Sequence, residues 1–138
     1  VSTGAVVVDT NILFSALLRE ESKFARLLLS SEHMFYICES TIVELFKHKE
    51  RLVQLSQLSE TDVIRLFYLL LRSLTIVKED LIPREVRQQA YQFCKDVDVS
   101  DSPQVALAIH LNARLWTGDL RLRKKLSDQD FAQFFDPD

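Results

Sequence analysis

Four short apolar runs punctuate the chain: AVVV at 5–8, FYIC at 35–38, TIV at 75–77 and RLWT at 114–117. Between them lie segments with helical spacing and helix-capping residues. Strands this short and apolar read as buried on both faces, and strands joined through helices pair in parallel by crossover connections. The pattern therefore predicts an α/β fold, a three-layer sandwich whose central, mostly parallel sheet has four to five strands. A run at 134–135 supplies the optional fifth.

The helical segments follow from local chemistry. One helix is expected from Ile12 and another from near Ser22, carrying Phe24, Leu27, Leu28 and Leu29. Ser40 or Thr41 can cap a long helix reaching about Gln54. Ser59-Glu60-Thr61-Asp62 resembles a capping box and opens a very apolar helix. Pro83 suits the first turn of a helix ending at Cys94. Further helices are expected from Ser102-Pro103 through His110 and from near Leu120.

With 138 residues, two glycines and three prolines, the chain offers no linker and reads as a single domain over 1–138. Its apolar runs fall far short of the roughly 18–20 residues of a membrane span, so no membrane partner is expected. No signal-peptide pattern opens it, and Val1 in first place points to a trimmed natural start. Cys38 and Cys94 lack CxxC spacing and are expected to be buried free thiols, which fits a cytoplasmic location. The net charge of −3 argues against a long non-specific grip on nucleic acid.

Why an apolar strand such as AVVV should run into an aspartate is the functional question. In open parallel sheets, ligands bind beyond the carboxyl ends of the strands, where strand order reverses. Asp9 ends the first strand and Asp119 follows the fourth. Asp101 precedes the helix beginning SPQVALAIHL, and Glu44 stands one turn into the helix after the second strand. Four carboxylates gathered there would repel one another, and a hard divalent cation, Mg²⁺ or Mn²⁺, relieves that repulsion. Such an ion can activate a water for attack on a phosphodiester. Singly, each acid has a plain structural role, because Asp9, Asp101 and Asp119 can cap helices and Glu44 can favour a helix dipole. Their joint placement favours the metal.

Three stretches, VVVDTN, STIVELFKH and DSPQVALAIHLNARLWTGDLRL, resemble the acidic motifs of PIN domains, a family of metal-dependent ribonucleases that includes VapC-type toxins. The similarity runs from Val6 to about Leu126, and the last motif is its most specific part. The resemblance implies that Asp9, Glu44, Asp101 and Asp119 are the catalytic, metal-holding acids, with Asn11 and Thr117 supporting them. Asp98 is either an auxiliary ligand or a solvated loop acid. PIN-domain toxins generally dimerise and are held inactive by an antitoxin, so a homodimer and an antitoxin partner are implied as well.

RNA has two candidate tracks. Glu44, Lys47, His48 and Arg51 follow i, i+3, i+4, i+7 spacing and share one helical stripe, with Ile42, Phe46 and Val53 opposite and inward. Arg121, Arg123, Lys124 and Lys125 follow Asp119. Both are also what ordinary solvated helix faces look like. No histidine has zinc-ligand spacing. The helix VIRLFYLLLRSL carries more apolar bulk than one buried face requires, so it can serve the core alone, a dimer face or a groove for a partner helix. The leading expectation is a Mg²⁺- or Mn²⁺-dependent endoribonuclease, possibly a toxin. A non-catalytic PIN-like scaffold that binds RNA or protein is the alternative. A phosphoacceptor signalling domain is disfavoured, because only one acid follows the first strand.

Overall fold

The computed structural model describes residues 4–18, 22–30 and 32–137; Val1 lies outside them. Its strands are β1 (Ala5–Val8), β2 (Met34–Cys38), β3 (Leu74–Val77) and β4 (Arg114–Trp116), all parallel and ordered β3-β2-β1-β4. The helices are α1 (Thr10–Leu18), α2 (Lys23–Leu29), α3 (Glu39–Lys47), α4 (Lys49–Leu55), α5 (Glu60–Arg72), α6 (Arg84–Cys94), α7 (Ser102–Leu111) and α8 (Leu120–Ser127). Short 3₁₀ turns cover Glu79–Leu81 and Val99–Asp101.

The expected α/β sandwich is what forms. Val6 and Val8 face a core with α1, α2 and α5, while Val7 faces a second core with α6, α7 and α8. All three valines are fully buried. Alternation in a strand sends neighbours to opposite faces, so a strand with helices on both sides is apolar at every position. Each buried valine of this kind contributes roughly 1.5–3 kcal/mol. No helix among the described residues is long and apolar enough to cross a membrane.

Strand order decides where a site can lie. From β1 the chain steps to β2 and β3 on one side, then returns to place β4 on the other. Val8 pairs with Trp116 at the end of this seam. The reversal point is therefore the gap between the carboxyl ends of β1 and β4. Asn112 ends α7 in the left-handed conformation, with φ 50°, and turns the chain into β4.

Four expectations change. The optional fifth strand reduces to an isolated bridge between Phe134 and Leu115, leaving four strands. The long helix expected to reach Gln54 is two helices, because His48 leaves the helical region, with φ −106° and ψ 15°, and separates α3 from α4. Neither Ser40 nor Thr41 caps α3, which starts at Glu39. Instead, Glu79, in the turn after β3, accepts a hydrogen bond from the Ser40 N–H at 2.7 Å. Phe46 is 59% exposed rather than inward, and stacks edge-on against Phe67, while Thr41, Leu45 and Leu52 take the buried positions.

Candidate active site at the carboxyl ends of β1 and β4

Asp9 leaves β1 at the reversal point, and its backbone N–H donates to the Trp116 carbonyl at 3.0 Å, extending the β1–β4 ladder by one rung. Its side chain is buried. Oδ2 accepts from the Thr117 hydroxyl at 2.8 Å, and Oδ1 accepts a longer bond, 3.4 Å, from the Asn11 backbone. Burial pushes the Asp9 carboxyl up, the Thr117 and Asn11 bonds pull it down, and the negative charge of Asp119 pushes it up again. Asn11 thus meets Asp9 through its backbone.

Thr117 follows β4 directly and is buried. Its oxygen also accepts from the Asp119 N–H at 3.1 Å. Asp119 is the N-cap of α8, where Oδ1 accepts from the N–H groups of Arg121 and Leu122 at 3.0 and 3.1 Å. The capping role and the site role coexist, because capping occupies one oxygen and leaves Oδ2 available.

Asp101 sits at the N-cap position of α7 but makes no side-chain cap bond. Burial raises its carboxyl to about 7, with further upward push from Asp9, Asp98 and Asp119. Asp98 itself is exposed and accepts from the backbone and hydroxyl of Ser100, at 3.0 and 2.6 Å.

Asp9, Asp101 and Asp119 are therefore electrostatic neighbours drawn from three separate elements. Among the described residues none of them forms an ion pair, and no cation lowers Asp9 or Asp101. Glu44 stands apart from this trio. It lies half exposed on α3, 3.9 Å from Lys47 and 3.6 Å from His48, and it is not among the charges that shift Asp9 or Asp101. Among the described residues, no three His, Cys, Asp or Glu side chains already stand in metal-ligating positions. The donor set still suits a hard cation, since it consists of carboxylate oxygens that repel one another and lack a compensating charge.

The basic tracks are only partly continuous. With α3 and α4 separated at His48, Arg51 stands on a different helix from Glu44 and Lys47, and its guanidinium lies 5.9 Å from the centre of the Phe14 ring. Arg121 is exposed beside Asp119. Arg123 is held by Asp136, at 2.6 and 3.1 Å, over the Phe134 ring, and Lys125 lies 3.6 Å from Asp96.

One polar residue in the site region escapes sequence reasoning altogether. Gln104 is buried in the first turns of α7, and its carboxamide meets the Thr10 hydroxyl at 2.9 Å. Nothing in SPQVALAIH distinguishes it from a surface glutamine, because its partner lies 94 positions away.

A family model described as PIN domain matches residues 7–127, from within β1 to the end of α8. No curated protein matches the chain.

Proposed function

Because this chain belongs to the PIN-domain family, whose members are usually nucleases, we propose that it is a Mg²⁺- or Mn²⁺-dependent endoribonuclease. The observation that supports this reading is that Asp9, Asp101 and Asp119 lie within electrostatic reach of one another at the reversal point, with no cationic side chain acting on Asp9 or Asp101 among the described residues. A divalent ion bound there would supply positive charge to a phosphodiester and acidify a water. Asp9, Asp101 and the free oxygen of Asp119 would hold it. Thr117 orients Asp9 by donation and fixes the Asp119 backbone by acceptance. Asn11 fixes the other Asp9 oxygen. Glu44 would approach only from the rim, beside Lys47 and His48. These two, with Arg51 and Arg121, would meet the phosphates of an RNA strand leaving the site.

The test is cleavage of a panel of tRNA and unstructured RNA by the purified protein in Mn²⁺, Mg²⁺ or EDTA. Asp101→Asn and Asp119→Asn variants run alongside. Metal-dependent cleavage lost in both variants is the expected result. A folded protein with neither cleavage nor a metal-induced rise in melting temperature would sink the nuclease reading.

The alternative, a non-catalytic scaffold that binds RNA or protein, draws on the separation of Glu44 from the trio. It also draws on an apolar groove of about 290 Å³ between α5 and the α3–α4 pair, lined by Leu45, Phe46, Leu52, Val63, Phe67 and Tyr68 among others. The same groove supports the toxin version of the leading reading, in which an antitoxin helix or a second copy covers it. Light scattering on the purified chain distinguishes monomer from homodimer.

A further inference from the structure

We propose that Gln104 is a positioning residue that sets the spacing between Asp9 and Asp101, and hence the affinity of the site for a divalent cation. The inference rests on the metal reading above.

Asp101 makes no side-chain hydrogen bond among the described residues. Its direction is therefore set by the backbone that carries it, the 3₁₀ turn Val99–Asp101 leading into α7. Gln104 grips that turn. With its nitrogen facing the two carbonyls, as their acceptor character requires, the carboxamide donates to Asp101 O at 3.1 Å and Ser100 O at 3.3 Å. Its oxygen then accepts the Thr10 hydroxyl at 2.9 Å. Thr10 is the residue after Asp9 and the first residue of α1.

One buried side chain thus ties the backbone of the third acid to the residue beside the first. When both are ionised, Asp9 and Asp101 carry like charges and repel each other. Without a tie, that repulsion favours separation of the α7 start from the β1–α1 turn. With it, the two carboxylates are held near each other before any cation arrives, so less rearrangement is needed on binding. A glutamine is suited to the task because it donates from one end and accepts at the other. Leucine or methionine could fill the same space but would leave the Thr10 hydroxyl and the two carbonyls without this link.

The experiment is a calorimetric titration of Mn²⁺ alone into the metal-free full chain, with melting temperatures of every variant measured in EDTA. Gln104→Met removes the tie while keeping length. Thr10→Val removes the same bond from the other end, so a folding failure in one variant leaves the other to decide. Thr10→Ser keeps the hydroxyl. Both removals are expected to weaken Mn²⁺ binding about 10- to 100-fold, the double variant no more than either alone, and Thr10→Ser is expected to bind like the parent. Unchanged Mn²⁺ affinity in folded Gln104→Met and Thr10→Val, with only the metal-free melting temperature lowered, would make Gln104 a packing residue and overturn the inference while leaving the metal reading intact. Absence of saturable Mn²⁺ binding to the unsubstituted chain would overturn both.

Discussion

Thr117 donates its hydroxyl to Asp9 Oδ2 at 2.8 Å, across 108 positions of sequence. The same oxygen accepts from the Asp119 backbone, so one hydroxyl joins the acid after β1 to the acid after β4. Both bonds lie at the strand-order reversal, where the carboxyl ends of β1 and β4 stand side by side.

Thr117→Val keeps the side-chain shape and deletes both bonds. Asp9 then stays buried without its main donor, which is expected to cost about 1–3 kcal/mol in urea denaturation. Mn²⁺ affinity should fall roughly tenfold or more. Thr117→Ser should restore most of both. A Val variant as stable as the parent would mean that water replaces the hydroxyl.

The Asp101 carboxyl, raised to about 7, makes the metal-free protein sensitive to pH. The folded state holds a proton that the unfolded chain, with an ordinary carboxyl near 3.9, has already released. Stability from this group is therefore greatest in acid and declines as pH rises from about 4 through 7. Above that, Asp101 is charged against Asp9, Asp98 and Asp119, and the loss is complete. Urea midpoints taken in EDTA between pH 5 and 8 should fall for the parent and much less for Asp101→Asn. Mn²⁺ should raise the melting temperature more at pH 8 than at pH 5.5. Parallel curves for the two proteins would remove Asp101 as the cause.

Glu79 acts as a remote cap for α3 through the Ser40 N–H. Glu79→Ala is expected to cost about 1 kcal/mol, in the range of other lost helix caps. Glu79→Gln, which keeps an acceptor oxygen, should cost less. The comparison is a pair of urea melts, and equal losses would mean that the charge matters rather than the acceptor.

Cys38 and Cys94 are fully buried, and burial pushes their thiols up to about 12 and about 11. Thiolate is the reactive form, so both are expected to resist a disulfide reagent at pH 8 in the folded protein and to react on unfolding. Rapid labelling of the native chain would show that one of them opens to solvent.

The architecture was legible because each strand is short, apolar and followed by helical patterning. VVVDTN and LWTGD carried enough local signal to place Asp9 and Asp119 at one edge of the sheet. The break at His48 was not legible, since STIVELFKHKERLVQL has continuous helical spacing and neither proline nor glycine. Its consequence for Arg51 was invisible for the same reason. Glu79 and Gln104 were missed because their roles depend on partners 39 and 94 positions away. Local pattern reports which face a residue prefers, and it does not report what polar group waits there. Phe46 shows the converse limit. Its apolarity predicted burial, yet it helps line the groove beside α5.

The strand order also has a consequence for biosynthesis. Among the described residues the sheet is completed by β4, which must dock against β1 although β2 and β3 come between them in sequence. A nascent chain made only through β3 displays Asp9 but neither Asp101 nor Asp119. The trio assembles only once the chain has been made through Asp119. For a protein proposed to cut RNA, this order withholds the complete set of acids from a shorter nascent copy still attached to its own message.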